Sequence, residues 1–83
     1  MFLSPQNQNL RRDLQGLASD LKWSAVELVR IAERLSAAGN DPDAQALQRM
    51  IAMFQREEGR VSLLMDEVSA GQIVRSEREA RLR

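Results

Sequence analysis

The sequence predicts an all-α fold: a long antiparallel helical hairpin that pairs with a second copy into a four-helix bundle. Three observations carry that expectation. Apolar residues recur at steps of three and four through the first half of the chain, the spacing of one helical face. Only four Gly and two Pro occur in 83 residues, so the chain has few places to turn and its elements must be long. No Tyr, one Trp and two Phe are poor material for a β-sandwich. At this length one domain, residues 1–83, is the natural organisation.

The first helix starts at Ser4-Pro5. A serine hydroxyl accepts from orphan amides of the first turn, and Pro suits the first helical position. Nothing but the isolated Gly16 interrupts the pattern before Gly39, so helix one is expected over about 5–38. Leu14, Leu21, Leu28 and Leu35 form the a row of a heptad seam. Leu10, Leu17, Ser24, Ile31 and Ala38 form the d row, and Leu3 extends it backwards. Beside the seam, Ala18, Ala25 and Ala32 repeat at the e position, where small side chains let a further helix approach.

Residues 39–41 make the turn, and Asp41-Pro42 with Asp43 repeats the start signal, with acids favourable in the first turn. Helix two is expected over about 42–70. So short a link makes the helices antiparallel neighbours. Leu47, Phe54, Val61 and Val68 form its central row. Met50, Glu57 and Leu64 flank it on one side, and Ile51, Glu58 and Met65 on the other. Gly71 ends or kinks this helix. The basic tail 71–83 is helical or disordered, and Ser76 with Glu79 is spaced as the capping box of a short C-terminal helix.

Folding the hairpin about its turn makes facing positions add to about 81, so Ile31 meets Met50, Leu28 meets Phe54 and Leu21 meets Val61. Ser24 then lies opposite Glu57. Ser24, Glu57 and Glu58 read as a polar core layer that sets register and oligomeric state, with Lys22, Arg56 and Arg60 as charge partners. The functional alternative is a binding notch for a basic partner or small ligand; otherwise the two glutamates are simply exposed. A chain this small seldom buries enough surface alone, and a lone hairpin is expected to leave the Ala row and one flank of helix two in water. A two-fold homodimer is the default remedy.

Histidine and cysteine are absent, which removes the commonest general base and the strongest nucleophile. No Gly-rich phosphate loop occurs. No enzyme, catalytic residue, metal site or cofactor is expected. The N-terminus has no basic stretch followed by an apolar core, and no apolar run approaches the ~20 residues that span a bilayer. The expectation is a cytoplasmic chain without a membrane partner.

Trp23, Val26 and Val29 form a second apolar strip, and Met53 adds adaptable surface; these four are the candidate partner-binding residues, the alternative being that Trp23 packs within the oligomer. The first function expected is a protein–protein interaction module of adaptor, inhibitor or co-chaperone type. The alternative is a small nucleic-acid-binding bundle. Its residues are Arg11, Arg12, Arg75, Arg78 and Arg81, which the hairpin gathers at one end. No aromatics interleave with them, and the acids Glu77 and Glu79 dilute the charge. A third reading is a self-assembling scaffold.

Overall fold

The computed structural model describes residues 3–76. They form two helices, α1 (Pro5–Ala37) and α2 (Asp41–Ser69), packed against each other as an antiparallel hairpin. No strand occurs among the described residues. The helix bounds fall within a residue of those read from the punctuation.

Local chemistry accounts for both helix starts and both ends. The Ser4 hydroxyl accepts from the Asn7 amide at 3.2 Å, with Pro5 in the first turn. At α2 the Asn40 side chain makes no bond to the helix backbone; its amide donates to the Asp43 carboxylate at 2.8 Å. Both helices end in the same way. The Gly39 amide donates to the Ser36 carbonyl at 3.0 Å, and the Asn40 amide to that of Leu35 at 2.8 Å. The Gly71 amide donates to the Val68 carbonyl at 3.1 Å, and the Gln72 amide to that of Glu67 at 2.9 Å. These are two Schellman closures, and each needs a left-handed residue. Gly39 (φ 82) and Gly71 (φ 78) supply it. Gly71 is therefore a stop and not a kink. No helix resumes over 71–76, while Glu79 and the rest of the expected terminal helix lie outside the described residues.

The packing corrects one expectation. The Ala row does not stand in water: Ala25 and Ala32 are both buried, Ala32 at 1% exposure. They form the core cluster with Ile51, and Leu28, Val29, Leu47 and Phe54 pack around it. The a-row leucines are half-buried, and Leu17 of the d row is exposed. The contact thus uses the a and e rows of α1, not a and d. The physical reason is the size of alanine. Small side chains bring the helix axes together, and the larger residues of α2 fill the space around them.

Among the described residues, no helix follows Ser69 beside the first turns of α1. Residues 70–76 continue there as turn, bend and irregular chain, held by Asn7. The Asn7 amide group donates to the Ile73 carbonyl at 3.0 Å, and its carbonyl accepts from the Arg75 backbone N–H at 3.0 Å. Asn7 thus bonds on either side of position 74, which is where the rule of facing positions places it.

Candidate functional site

Around the line of contact, the flanks of the two helices merge into two broad faces. A cleft of about 330 Å³ near the turn identifies one. It is lined by Ala32, Glu33 and Ser36 of α1 and by Asp41, Ala44, Gln45 and Gln48 of α2. Stepping by sevens along the same rows leads from Ser36 to Val29, Lys22 and Gln15, and from Gln48 to Gln55 and Ser62. All of these but Val29 are exposed and polar, so this is the polar face.

The opposite flanks make the other face. There lie Leu10, Leu17, Ser24 and Ile31 of α1 beside Met50, Glu57 and Leu64 of α2. Leu17 is level with Leu64, and Ile31 with Met50. Leu17 is 47% exposed and Met50 and Leu64 are each 41% exposed, although all three are apolar. Leu10 and Ile31 are half-buried. The face is apolar at both ends and polar at its middle, where Ser24 and Glu57 stand.

The expected polar core layer is therefore not an interior layer of the single chain. Ser24 is exposed, and Glu57 and Glu58 are half-buried. The rotation that turned the Ala row inward turned the Ser24 row outward. Glu57 takes an ion pair with Arg60 one turn on, at 3.2 Å. Glu58 stands on the Ile51 row, which faces α1, and so belongs to a different flank from Glu57.

The structure separates the four candidate partner-binding residues. Trp23 lies two positions from buried Ala25, and Met53 two from buried Ile51. Two residues rotate a side chain by roughly 200°, so each lies on the outward side of its own helix. These sides are opposite edges of the hairpin, two helix widths apart. Val26 and Val29 lead from Trp23 back towards the contact, and Val29 packs on the core. Trp23 is 62% exposed. The Lys22 ammonium lies 5.7 Å from its ring centroid, within cation–π range.

At the basic end, Arg11 and Arg12 are exposed. Arg75 pairs with Asp13 at 2.9 Å, so its charge is internally balanced. Arg78 and Arg81 lie outside the described residues.

One residue that positions this end was missed from the sequence. Asn7 is buried, with 4% exposure. A signal for it exists: position 7 continues the a row of Leu14, Leu21, Leu28 and Leu35, and a polar residue at such a position needs a partner.

No helix of the described residues is long and apolar enough to cross a membrane. No family model matches the chain, and neither a curated protein nor a solved structure matches it.

Proposed function

We propose that the chain is a non-enzymatic protein–protein interaction module of adaptor, inhibitor or co-chaperone type, working as a small oligomeric helical bundle in the cytoplasm. The exposure of Trp23 carries the reading. It is the one Trp of the chain and lies on the outward side of α1, 62% exposed. Trp is the residue type most enriched among energetic anchors of interfaces. A target helix laid along the outer side of α1 buries the indole, with Val26 extending the apolar contact. The neighbouring Lys22 offers a charge to an acidic residue at the rim. The absence of His and Cys from the whole sequence supports binding over catalysis.

The test is capture from a lysate of the source cell by the tagged full chain, its Trp23→Ala variant and its Trp23→Phe variant. The expected result is one target held by the parent, lost on Trp23→Ala and partly regained on Trp23→Phe. Equal capture by all three removes Trp23 as the anchor. The alternative, nucleic-acid binding by Arg11, Arg12, Arg75, Arg78 and Arg81, is the weaker proposal because Arg75 is already paired with Asp13.

A further inference from the structure

A hairpin is one layer of two helices, and each helix can cover the other along one edge only. Among the described residues three buried hydrophobics are larger than Ala: Ile51, Val61 and Val68. That is a thin core for a chain of this length. The apolar face opposite the polar cleft is the surface left to enlarge it.

We propose that this face is covered by the same face of a second copy. In the resulting four-helix bundle, Leu17 packs on Leu64 of the other copy, Ile31 on Met50, and the Ser24 hydroxyl donates to the Glu57 carboxylate. The proposal deepens the interaction reading above by naming the surface that makes the bundle oligomeric.

Area and pattern both point to a second copy. α2 is 29 residues long, about 44 Å at 1.5 Å per residue, and two helices side by side are about 20 Å wide. Each copy thus offers about 900 Å², against about 800 Å² per partner in a standard stable interface. The pattern is self-complementary. Apolar pairs stand at the levels of residues 17 and 31, with the polar level of Ser24 and Glu57 midway between them. A two-fold axis parallel to the helices lays α1 of one copy over α2 of the other and keeps every level in place. Each carboxylate then meets a hydroxyl. The other face-to-face two-fold, perpendicular to the helices, sets Glu57 against Glu57, which like-charge repulsion disfavours. In the chosen arrangement Arg60 stays on the outer side of α2 and continues to pair Glu57 from the rim.

Two measurements test the proposal. Light scattering on the full chain at micromolar concentration is expected to give twice 9.4 kDa. Leu17→Glu, which puts a carboxylate into the joint from each copy, is expected to raise the dimer dissociation constant at least about 100-fold. A monomeric parent overturns the proposal, and so does a Leu17→Glu chain that dimerises as the parent does. The second measurement needs no destabilised variant. The chain has no cysteine, so single cysteines report contacts cleanly. Ser24→Cys chains mixed with Glu57→Cys chains are expected to cross-link through a short bis-maleimide, and Ser24→Cys chains alone are not. Cross-linking of Ser24→Cys with itself, or none in the mixture, overturns the arrangement. A monomeric chain that still captures a Trp23-dependent target sinks the dimer and leaves the interaction reading standing. A dimer with no target does the reverse.

Discussion

Replacing Asn7 by Ala tests how the non-helical segment after α2 is held. The Asn7 side chain exchanges two hydrogen bonds of 3.0 Å with the backbone of Ile73 and Arg75, and its own amide remains with Ser4. A protein hydrogen bond contributes about 1 kcal/mol net, and here the stranded backbone groups can recover water, so the loss is about 2 kcal/mol. That cost is local. α2 has ended at Ser69, and the hairpin contact does not depend on residues 72–76. A loss of about 2 kcal/mol raises the opened population about 30-fold. Amide hydrogen exchange followed by NMR reads this directly: the Arg75 amide is expected to exchange about 30-fold faster while that of Leu28 is unchanged. Asn7→Asp separates the two bonds. The carboxylate still accepts from the Arg75 amide but has nothing to donate to the Ile73 carbonyl, and two oxygens then face each other. The same acid is favourable in the first turn of α1 by about 0.5 kcal/mol. Arg75 exchange should therefore speed up while global stability barely falls. An Arg75 amide that exchanges equally slowly in parent and Asn7→Ala chains refutes the reasoning.

The glycines make a paired prediction. Gly39→Ala forces an L residue to φ 82 and is expected to cost about 1–2 kcal/mol. Gly16→Ala fills open space on a helix, with nothing within 4 Å of the new Cβ, and should gain about 0.5–1 kcal/mol. Urea midpoints of the two variants should move in opposite directions. Ala32→Leu forces a large side chain into a closed contact of 1% exposure and should lower stability by about 1–3 kcal/mol; an unchanged midpoint refutes the close approach at the Ala row. Trp23 emission should be red-shifted and fully quenchable in the dimer and in the Leu17→Glu monomer alike; blue emission in the dimer places Trp23 in the joint instead. Duplex RNA and DNA should show no gel shift at moderate salt, and a shift lost on Arg11→Ala and Arg12→Ala would revive the nucleic-acid reading.

The helix bounds were legible because their signals are local. Ser4-Pro5, Gly39 and Asp41-Pro42 act on backbone groups within a few residues, and nothing distant competes with them. The rotation of α1 about its own axis was not legible from a single helix. Leu10, Leu14, Leu17 and Leu21 announce an apolar stripe, but the stripe has three rows, d, a and e, and its partner decides which two turn inward. Size settled it: the Ala row admits the α2 backbone closely, so Ile51 packs against Ala25 and Ala32. The level of each residue is insensitive to this rotation. Ser24 and Glu57 therefore share a level although Ser24 is exposed and Glu57 half-buried in the single chain. Asn7 escaped notice because its partners are backbone groups of a segment whose side chains give no periodic signal.

The same rotation gives α1 three separate surfaces. The Ala row closes on α2 at 0° around the helix. Leu17 and Ile31 lie to one side of it, and Trp23 stands roughly 160° away. Leu17 and Trp23 are six residues apart, which sets them roughly 120° apart on the helix. A second copy seated on the Leu17 side leaves Trp23 clear, so self-association and target binding do not compete for one surface. A dimer built in this way carries two Trp23 anchors on its outer sides. A target that engages both gains avidity over one that engages a single anchor, typically by ~10²–10⁴-fold where the geometry allows both contacts. Leu17→Glu therefore touches no Trp23 contact, yet it should weaken a two-site target and spare a one-site target. That contrast reads out the separation of the two faces without any change at Trp23 itself.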